Sequence, residues 1–590
     1  MRAVRGAAGA ERIPIAFETT TLFAAPGQSL AAALAAGGIL ALRRTSAGAE
    51  RGVFCGMGVC QECLVVVDGV PNQRACVLKI TAPVTVTRQT AMTEPADRGT
   101  LPPVTLDDME PETPEVLVIG GGAGGLTAAL AARRAGAEVV LLDERATAGG
   151  QYFKQTGAGP GAHPLDRQQA EGGALVQAVA RSGAVVASAC EVWGAFPAAD
   201  AAAEIMAAGP DGARRFRPAR LIVATGAYER GLPLPGWTLP GVMTTGAAQT
   251  FWRSYRTLPG RRIVIAGNGP LNLQVACELA RAGTEVVAVA ESAGAPGVGA
   301  LPALARMLTA EPGLVADGLR YRLGLARHRI PLLSGHVVTA IDQERDALAV
   351  TLGRLDGRAV GATRRLVADV VCLGYGFQPA NELLRALGAT HDYDPERGQL
   401  VTRRDADGAT TVPGVYAVGD CCGVGGAKAA LEEGTIAGLA AARSLGLPGP
   451  APLGAVERAA RRRLGRARRF EAALSSLFAA PRIEHELADA DTLICRCEEV
   501  PLARLEAALG DGRPSIGEVK QRTRAGMGRC QGRYCAPVLA ALLAERQGRP
   551  LDELGFFAPR APVKPVAIAD LARIESAAVG RGSEGEGGPE

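Results

Sequence analysis

Residues Glu115 to Gln151 read EVLVIGGGAGGLTAALAARRAGAEVVLLDERATAGGQ, and their order decides the fold of the chain. Glu115 to Ile119 is a short apolar run suited to a buried parallel strand, and it enters Gly120-x-Gly122-x-x-Gly125 ahead of a helix rich in alanine and leucine. The first glycine permits the tight turn, the second lets backbone approach a pyrophosphate, and the third lets helix pack on strand. The helix N-terminus then offers unpaired N–H groups to phosphate. Val139 to Leu142 reads as the next strand, and Asp143, 23 residues after Gly120, is placed to bind ribose hydroxyls, with Glu144 the second choice. The triplet alone is weak, but strand, helix and acid in this order make a dinucleotide-binding unit.

Further along, Gly149, Gly150 and Gln151 place a glycine pair where backbone must pass close to a cofactor. Leu221 to Val223 is another buried strand, ending in the Ala224-Thr225-Gly226 turn. Arg262 to Ala266 opens a second unit, with Gly267 and Gly269 in the turn and Glu291 closing its second strand, Val286 to Ala290. Asn272 stands where the third glycine would be and asks for a wider helix–strand separation. Three occupancies stay open there: NAD, favoured over NADP by Glu291, another nucleotide, or none. Ala368 to Leu373 reads as one more strand, and Val412 to Asp420 delivers Gly419 and Asp420 to a turn where the aspartate can bind the ribityl chain of a flavin. This order resembles the two-dinucleotide-domain flavoproteins that glutathione reductase exemplifies, over Glu115 to Leu447, and it implies FAD.

At 590 residues the chain is too long for one core. Its net charge of +4 implies no partner, and its most basic segment, Arg458 to Phe470, lacks interleaved aromatics for stacking on bases, so it reads as a solvated helix face and not a nucleic-acid site. No apolar stretch is long enough to span a membrane, which leaves peripheral association open. The first residues lack the apolar core of a secretion signal, so the expected location is cytoplasmic, where thiols stay reduced.

Thirteen cysteines then point to metal or redox use, and eight fall into two groups. Cys55-x4-Cys60-x2-Cys63, with Cys76 after twelve intervening residues, has the spacing of a plant-type [2Fe-2S] ferredoxin, with Gly56 and Gly58 letting the loop wrap. Towards the other end, Cys495-x-Cys497 and Cys530-x4-Cys535 bring four thiolates from loops leading into helices, a spacing that resembles bacterioferritin-associated-ferredoxin-like [2Fe-2S] domains. Zinc is the competing metal at both. Cys421 and Cys422 are too close in sequence for an unstrained redox pair. Cys190, Cys277 and Cys372 read as buried small hydrophobes.

The expected architecture is multidomain α/β. A β-grasp ferredoxin-like domain (1–91) and a linker (92–114) precede a flavoprotein core (115–447), whose FAD halves (115–259, 366–447) flank a nucleotide domain (260–365). A connecting helical segment (448–490), a small helical four-cysteine domain (491–548) and a tail (549–590), disordered beyond Gly580, complete it. The ensemble is similar to the FAD/nucleotide subunits of hydrogen cyanide synthase, opine oxidases and proline or hydroxyproline dehydrogenases, fused to their small ferredoxin-like subunit. That resemblance implies FAD, two [2Fe-2S] clusters, a separate catalytic amine-oxidising flavoprotein subunit, an electron acceptor, and substrates of opine, proline, hydroxyproline or glycine type. None of the five histidines sits in a motif, and no catalytic residue is assigned. Two alternatives remain at this point: a self-contained NADH-dependent reductase, and a non-catalytic electron-delivery subunit.

Overall fold

The computed structural model describes residues 12–90, 109–157, 163–356, 359–447, 449, 453–510 and 512–567. Most of the expected linker, and the tail beyond Ala567, lie outside them. The N-terminal unit comprises β1 (Ile13–Phe17), β2 (Thr20–Ala24), α1 (Leu30–Ala36), β3 (Leu64–Val67), β4 (Val70–Arg74) and β5 (Val84–Arg88). Its sheet order is β2-β1-β5-β3-β4, with β1 and β5 parallel between two antiparallel hairpins, the β-grasp arrangement. Alternation in β1 buries Ile13, Ile15 and Phe17, and the Ser29 side chain accepts from the Ala32 N–H to start α1.

The central unit runs through β6 (Val116–Ile119), α2 (Ala123–Arg134), β7 (Val139–Asp143), β8 (Val185–Ser188) and β9 (Arg220–Val223). It continues through β10 (Val242–Thr244), α3 (Thr245–Tyr255), β11 (Arg262–Gly267), α4 (Pro270–Arg281), β12 (Glu285–Glu291), α5 (Leu301–Ala310), α6 (Pro312–Arg327), β13 (Leu332–Ser334) and β14 (Val370–Gly374). It then returns as β15 (Val415–Ala417) and α7 (Gly426–Ser444). Two parallel sheets result, β8-β7-β6-β9-β15 and β10-β14-β11-β12-β13, whose central strands are buried on both faces, as unbroken apolar runs require. The chain crosses between them on Ala227–Glu229 and Phe377–Pro379, which pair antiparallel. Helices α2 and α7 pack backbone to backbone, because a Cβ at Gly434 would run into the Gly124 carbonyl.

Two antiparallel three-stranded sheets, one of Glu191–Phe196, Glu204–Gly209 and Gly212–Phe216, the other of residues 336–368, were not anticipated. The run Ala368 to Leu373 splits between strands at Asp369, whose carboxylate binds Arg262 and turns the chain into β14. The basic segment is one long helix, α8 (Leu453–Leu477), and its arginines lie mostly on an exposed face, as expected. Arg463 also pairs with Glu432 and Arg468 with Glu433 on α7, while Ala460, Leu464 and Ala467 pack on Ala429 and Ile436 of that helix. The C-terminal unit holds α9 (Leu502–Leu509), α10 (Ile516–Thr523) and α11 (Ala536–Gln547) around its own core. Among the described residues the N-terminal unit has no separate core: Ile15, Leu34 and Val86 join Phe251 of α3, Ile265 of β11 and Leu273 of α4 in one hydrophobic cluster. No helix among the described residues is long and apolar enough to cross a membrane.

Candidate functional site

At the end of β6 the backbone of Gly120 adopts a φ of 105°, and a Cβ at Gly125 would be driven into the Gly120 carbonyl oxygen. That contact seats α2 on the strand. Gly150 lies against Gly122, 2.7 Å from an added Cβ to the Gly122 Cα, and the Gly149 N–H donates to the Gly121 carbonyl at 2.7 Å. The glycine pair and the dinucleotide turn therefore meet backbone on backbone. Helix α2 starts at Gly122 with no side-chain cap and no acid in its first turn, so its N–H groups suit a phosphate. Asp143 accepts from the Gly121 and Arg145 N–H groups, both at 2.7 Å, and burial pushes its carboxyl up to about 6. Glu144 is drawn instead into an ion pair with Lys564, while Gln151 is half-buried at the start of the following short helix.

Gly226, at φ 70°, accepts from the Ala380 N–H on the crossing between the two sheets. Gly419 donates to Glu433, and the Asp420 Oδ1 accepts from the Gly425 and Gly426 N–H groups at 3.0 and 2.9 Å. Cys421 and Cys422 are buried with sulfurs 3.8 Å apart, so they form no disulfide. Lys154, which sequence reasoning missed, lies three residues past Gln151 and donates to the Gly246 carbonyl and the Thr250 hydroxyl at 2.8 and 3.0 Å. Burial lowers its ammonium to about 7, and Glu229 binds the adjacent Gly246 N–H. No local signal marks Lys154 in the sequence.

The second turn repeats the first. Glu291 accepts from Gly269 N at 3.0 Å, as Asp143 does from Gly121, and burial pushes it up to about 7. Asn272 bridges the contact with its side chain. It is buried, its Oδ1 accepting from the Thr245 hydroxyl at 2.8 Å and its Nδ2 donating to the Gly374 carbonyl at 3.1 Å, which ties α4 to α3 and β14. Asn268 donates to Glu291 and to the Phe478 carbonyl, so the segment after α8 shares the mouth of this turn. Asn272→Gly, which restores the fingerprint, is expected to cost about 2–4 kcal/mol through two stranded buried partners and an added helical glycine. Thermal unfolding should show the loss, with no gain in flavin reduction by NADH.

The Cys55 to Cys76 loop buries all four sulfurs. Cys55 Sγ accepts from the Cys60 and Met57 N–H groups at 3.4 and 3.5 Å, and Cys63 Sγ from the Cys76 N–H at 3.4 Å. Four buried thiolates on one loop can give two to each iron of a two-iron centre, the set that a [2Fe-2S] cluster needs. The loop is fixed to the core: Thr244 N donates to the Phe54 carbonyl at 2.8 Å, and a Cβ at Gly56 would meet Ala247 Cα at 2.8 Å. In the second group Cys495 lies 3.9 Å from Cys497, and Cys497 lies 3.7 Å from Cys530. Cys535 opens α11 and shares a hydrophobic cluster with Cys495. An added Cβ at Gly528 would press on the Cys497 sulfur.

The two groups, at opposite ends of the sequence, share one hydrophobic cluster containing Cys55, Cys60 and Cys530. Phe54 and Tyr534, each one residue before a cysteine, meet at a ring separation of 5.5 Å, and Trp237 packs on Phe54 at 5.7 Å. Arg496, between Cys495 and Cys497, lies over the Phe54 ring at 3.8 Å and 3.5 Å from Glu62, which stands between Cys60 and Cys63. Glu62 also binds Arg43 at 2.7 Å. An arginine inside one cysteine motif and a glutamate inside the other were the available signal for this contact.

Two dinucleotide units flanked by two cysteine groups define a two-dinucleotide-domain flavoprotein oxidoreductase with iron-sulfur modules. The family described as pyridine nucleotide-disulphide oxidoreductase matches residues 114–434, the 2Fe-2S iron-sulfur cluster binding domain residues 10–91, and the sarcosine oxidase A3 domain residues 491–574. The chain belongs to the pyridine nucleotide-disulphide oxidoreductase family, in the branch that includes the opine oxidase A subunits. It is 33% identical to the opine oxidase A subunit of Agrobacterium tumefaciens, over 78% of this chain and 92% of that one. It is also 33% identical to hydrogen cyanide synthase subunit HcnB of Pseudomonas aeruginosa, over 77% of this chain and 97% of that one. The solved L-proline dehydrogenase of P. horikoshii shares the fold, with a TM-score of 0.70 at 19% identity over 96% of this chain and 98% of that one. FAD and a [2Fe-2S] cluster are cofactors of this chain.

Proposed function

We propose that the chain collects electrons from an amine or imino acid, of opine, proline, hydroxyproline or glycine type, oxidised on a partner flavoprotein subunit, and passes them on through two [2Fe-2S] clusters. The observation that carries this reading is the shared hydrophobic cluster that holds Cys55, Cys60 and Cys530 together. A bound flavin supplies the exchange between electron pairs and single electrons. Gly120 and Gly122 would let its pyrophosphate approach the N-terminus of α2, which Gly125 seats on the strand, and Asp143 would hold its adenosine ribose, with Glu144 turned away to Lys564. Gly149, Gly150, Gln151 and Gly226 line its path, and Asp420 holds the ribityl chain. Cys55, Cys60, Cys63 and Cys76 hold one cluster, and Cys495, Cys497, Cys530 and Cys535 the other. Supplying the purified chain with each amine class tests the division of labour: turnover is expected only with the partner present, and brisk turnover by the chain alone would refute it.

The second reading, a self-contained NADH reductase in the cytoplasm, is favoured by Gly267, Gly269 and Glu291 and by the uncapped N-terminus of α4. Anaerobic mixing with NADH tests it, since rapid bleaching of the flavin would support it. The partner reading is supported by an apolar stripe on α5 and α6, where Leu301, Leu308, Leu319 and Leu323 are exposed, Leu323 to 69%. Unpaired stripes of this size mark interaction surfaces. Leu308→Gln with Leu323→Gln is expected to leave unfolding within about 0.5 kcal/mol of wild type, as surface changes do, and to abolish co-purification of the flavoprotein partner.

A further inference from the structure

Tyr534 lies on the loop between Cys530 and Cys535, yet its side chain belongs to the other cysteine group. Its ring packs edge-on against Phe54, the neighbour of Cys55, and lies 5.9 Å from the Tyr228 ring. Gly231 fixes its orientation, since an added Cβ there would sit 3.0 Å from the Tyr534 ring. The side chain is only 4% exposed, and its hydroxyl has no hydrogen-bond partner among the described residues. A buried phenol left in that state costs about 1–3 kcal/mol, so the orphaned donor calls for an acceptor. Cys55 and Cys60 share one buried cluster with the Tyr534 ring, as does Cys530 on its own loop. The cluster that these cysteines hold would place further sulfur acceptors at the same spot.

We propose that the Tyr534 hydroxyl donates a hydrogen bond to a sulfur of the N-terminal [2Fe-2S] centre at its Cys55–Cys60 side, so that the C-terminal domain sets the reduction potential of its neighbour. The inference rests on the reading that Cys55, Cys60, Cys63 and Cys76 hold that centre. Hydrogen bonds to cluster sulfurs favour the reduced, more negative state and so raise the potential. Tyr534 is thus a tuning residue that couples the two centres, without which the first would be the harder to reduce.

The test is a redox titration followed by electron paramagnetic resonance on the full-length holoprotein, wild type and Tyr534→Phe, with Cys497→Ser used to assign the two signals. The expected result is a tenfold shift of the N-terminal centre towards the oxidised form, about 59 mV lower for one electron, with the C-terminal centre unmoved. An unmoved N-terminal centre, or a shift confined to the C-terminal one, would overturn the proposal. Should Tyr534→Phe fail to fold, protein carrying ring-deuterated tyrosine at position 534 alone answers the same question. Deuterium coupling to the N-terminal signal supports the contact and its absence refutes it. A wild-type protein with no N-terminal signal would remove the cluster assignment itself, and iron analysis distinguishes that outcome from a misplaced tyrosine.

Discussion

Full-length protein carrying Cys60→Ala, purified without oxygen, is expected to stay yellow, to lose about half of its iron and acid-labile sulfide, and to reduce one-electron acceptors about a hundredfold more slowly. Alanine removes one of the four buried thiolates of this loop and leaves one iron without a full tetrahedral set. Cluster binding is also folding energy for the loop that carries it, so the Phe54 to Cys76 segment should become sensitive to protease. The flavin should remain because the dinucleotide turn is built from α2, β6 and β7, none of which touches this loop through a cysteine. Cys421→Ser is the control, since that buried thiol belongs to neither group and its replacement should leave iron unchanged. Equal iron in Cys60→Ala and wild type would show that Cys60 is no ligand.

The second large effect separates two glycines of one motif. At Gly125 an added methyl meets the Gly120 carbonyl, with helix on one side and strand end on the other, and neither can move without parting the sheet. Gly125→Ala should therefore cost more than the about 1–3 kcal/mol of ordinary overpacking and yield protein that is colourless and unfolds early. At Gly122 the nearest atom to an added Cβ is the Gly150 Cα, 3.9 Å away, and φ is −79°, so the protein itself accommodates alanine. The methyl would instead occupy the approach to the pyrophosphate. Gly122→Ala should keep the melting temperature of the flavin-free protein while weakening FAD retention at least about tenfold. Flavin absorbance after gel filtration and calorimetry of the stripped proteins check both, and equal FAD retention by Gly122→Ala and wild type would remove Gly122 from the site.

What could be read from the residues alone was whatever depends on neighbours close in sequence. The two dinucleotide turns, their closing acids Asp143 and Glu291, and the apolar strands leading into them are local patterns, and each appears where its spacing puts it. Asn272 was legible as a departure from the pattern but not as a bridge, because its partners Thr245 and Gly374 lie on other elements and enter only when α3, α4 and β14 pack together. The meeting of Phe54 with Tyr534 was hidden for the same reason. The exposed arginines of α8 were legible as a solvated face, but their acidic partners on α7, Glu432 and Glu433, are set by helix packing that no periodicity records.

The seam between the first domain and the rest has a kinetic meaning. Its hydrophobic residues are continuous with those of the second nucleotide sheet, and the Phe54 carbonyl and Gly56 are bound to the strand end and first turn of α3. A mobile ferredoxin must find its reductase by diffusion, with an encounter rate that falls as salt screens the attracting charges. A module soldered in place makes no such search. Its internal handover should be first order, indifferent to protein concentration and to ionic strength, which leaves the exit to the external acceptor as the one collision that the cell can regulate.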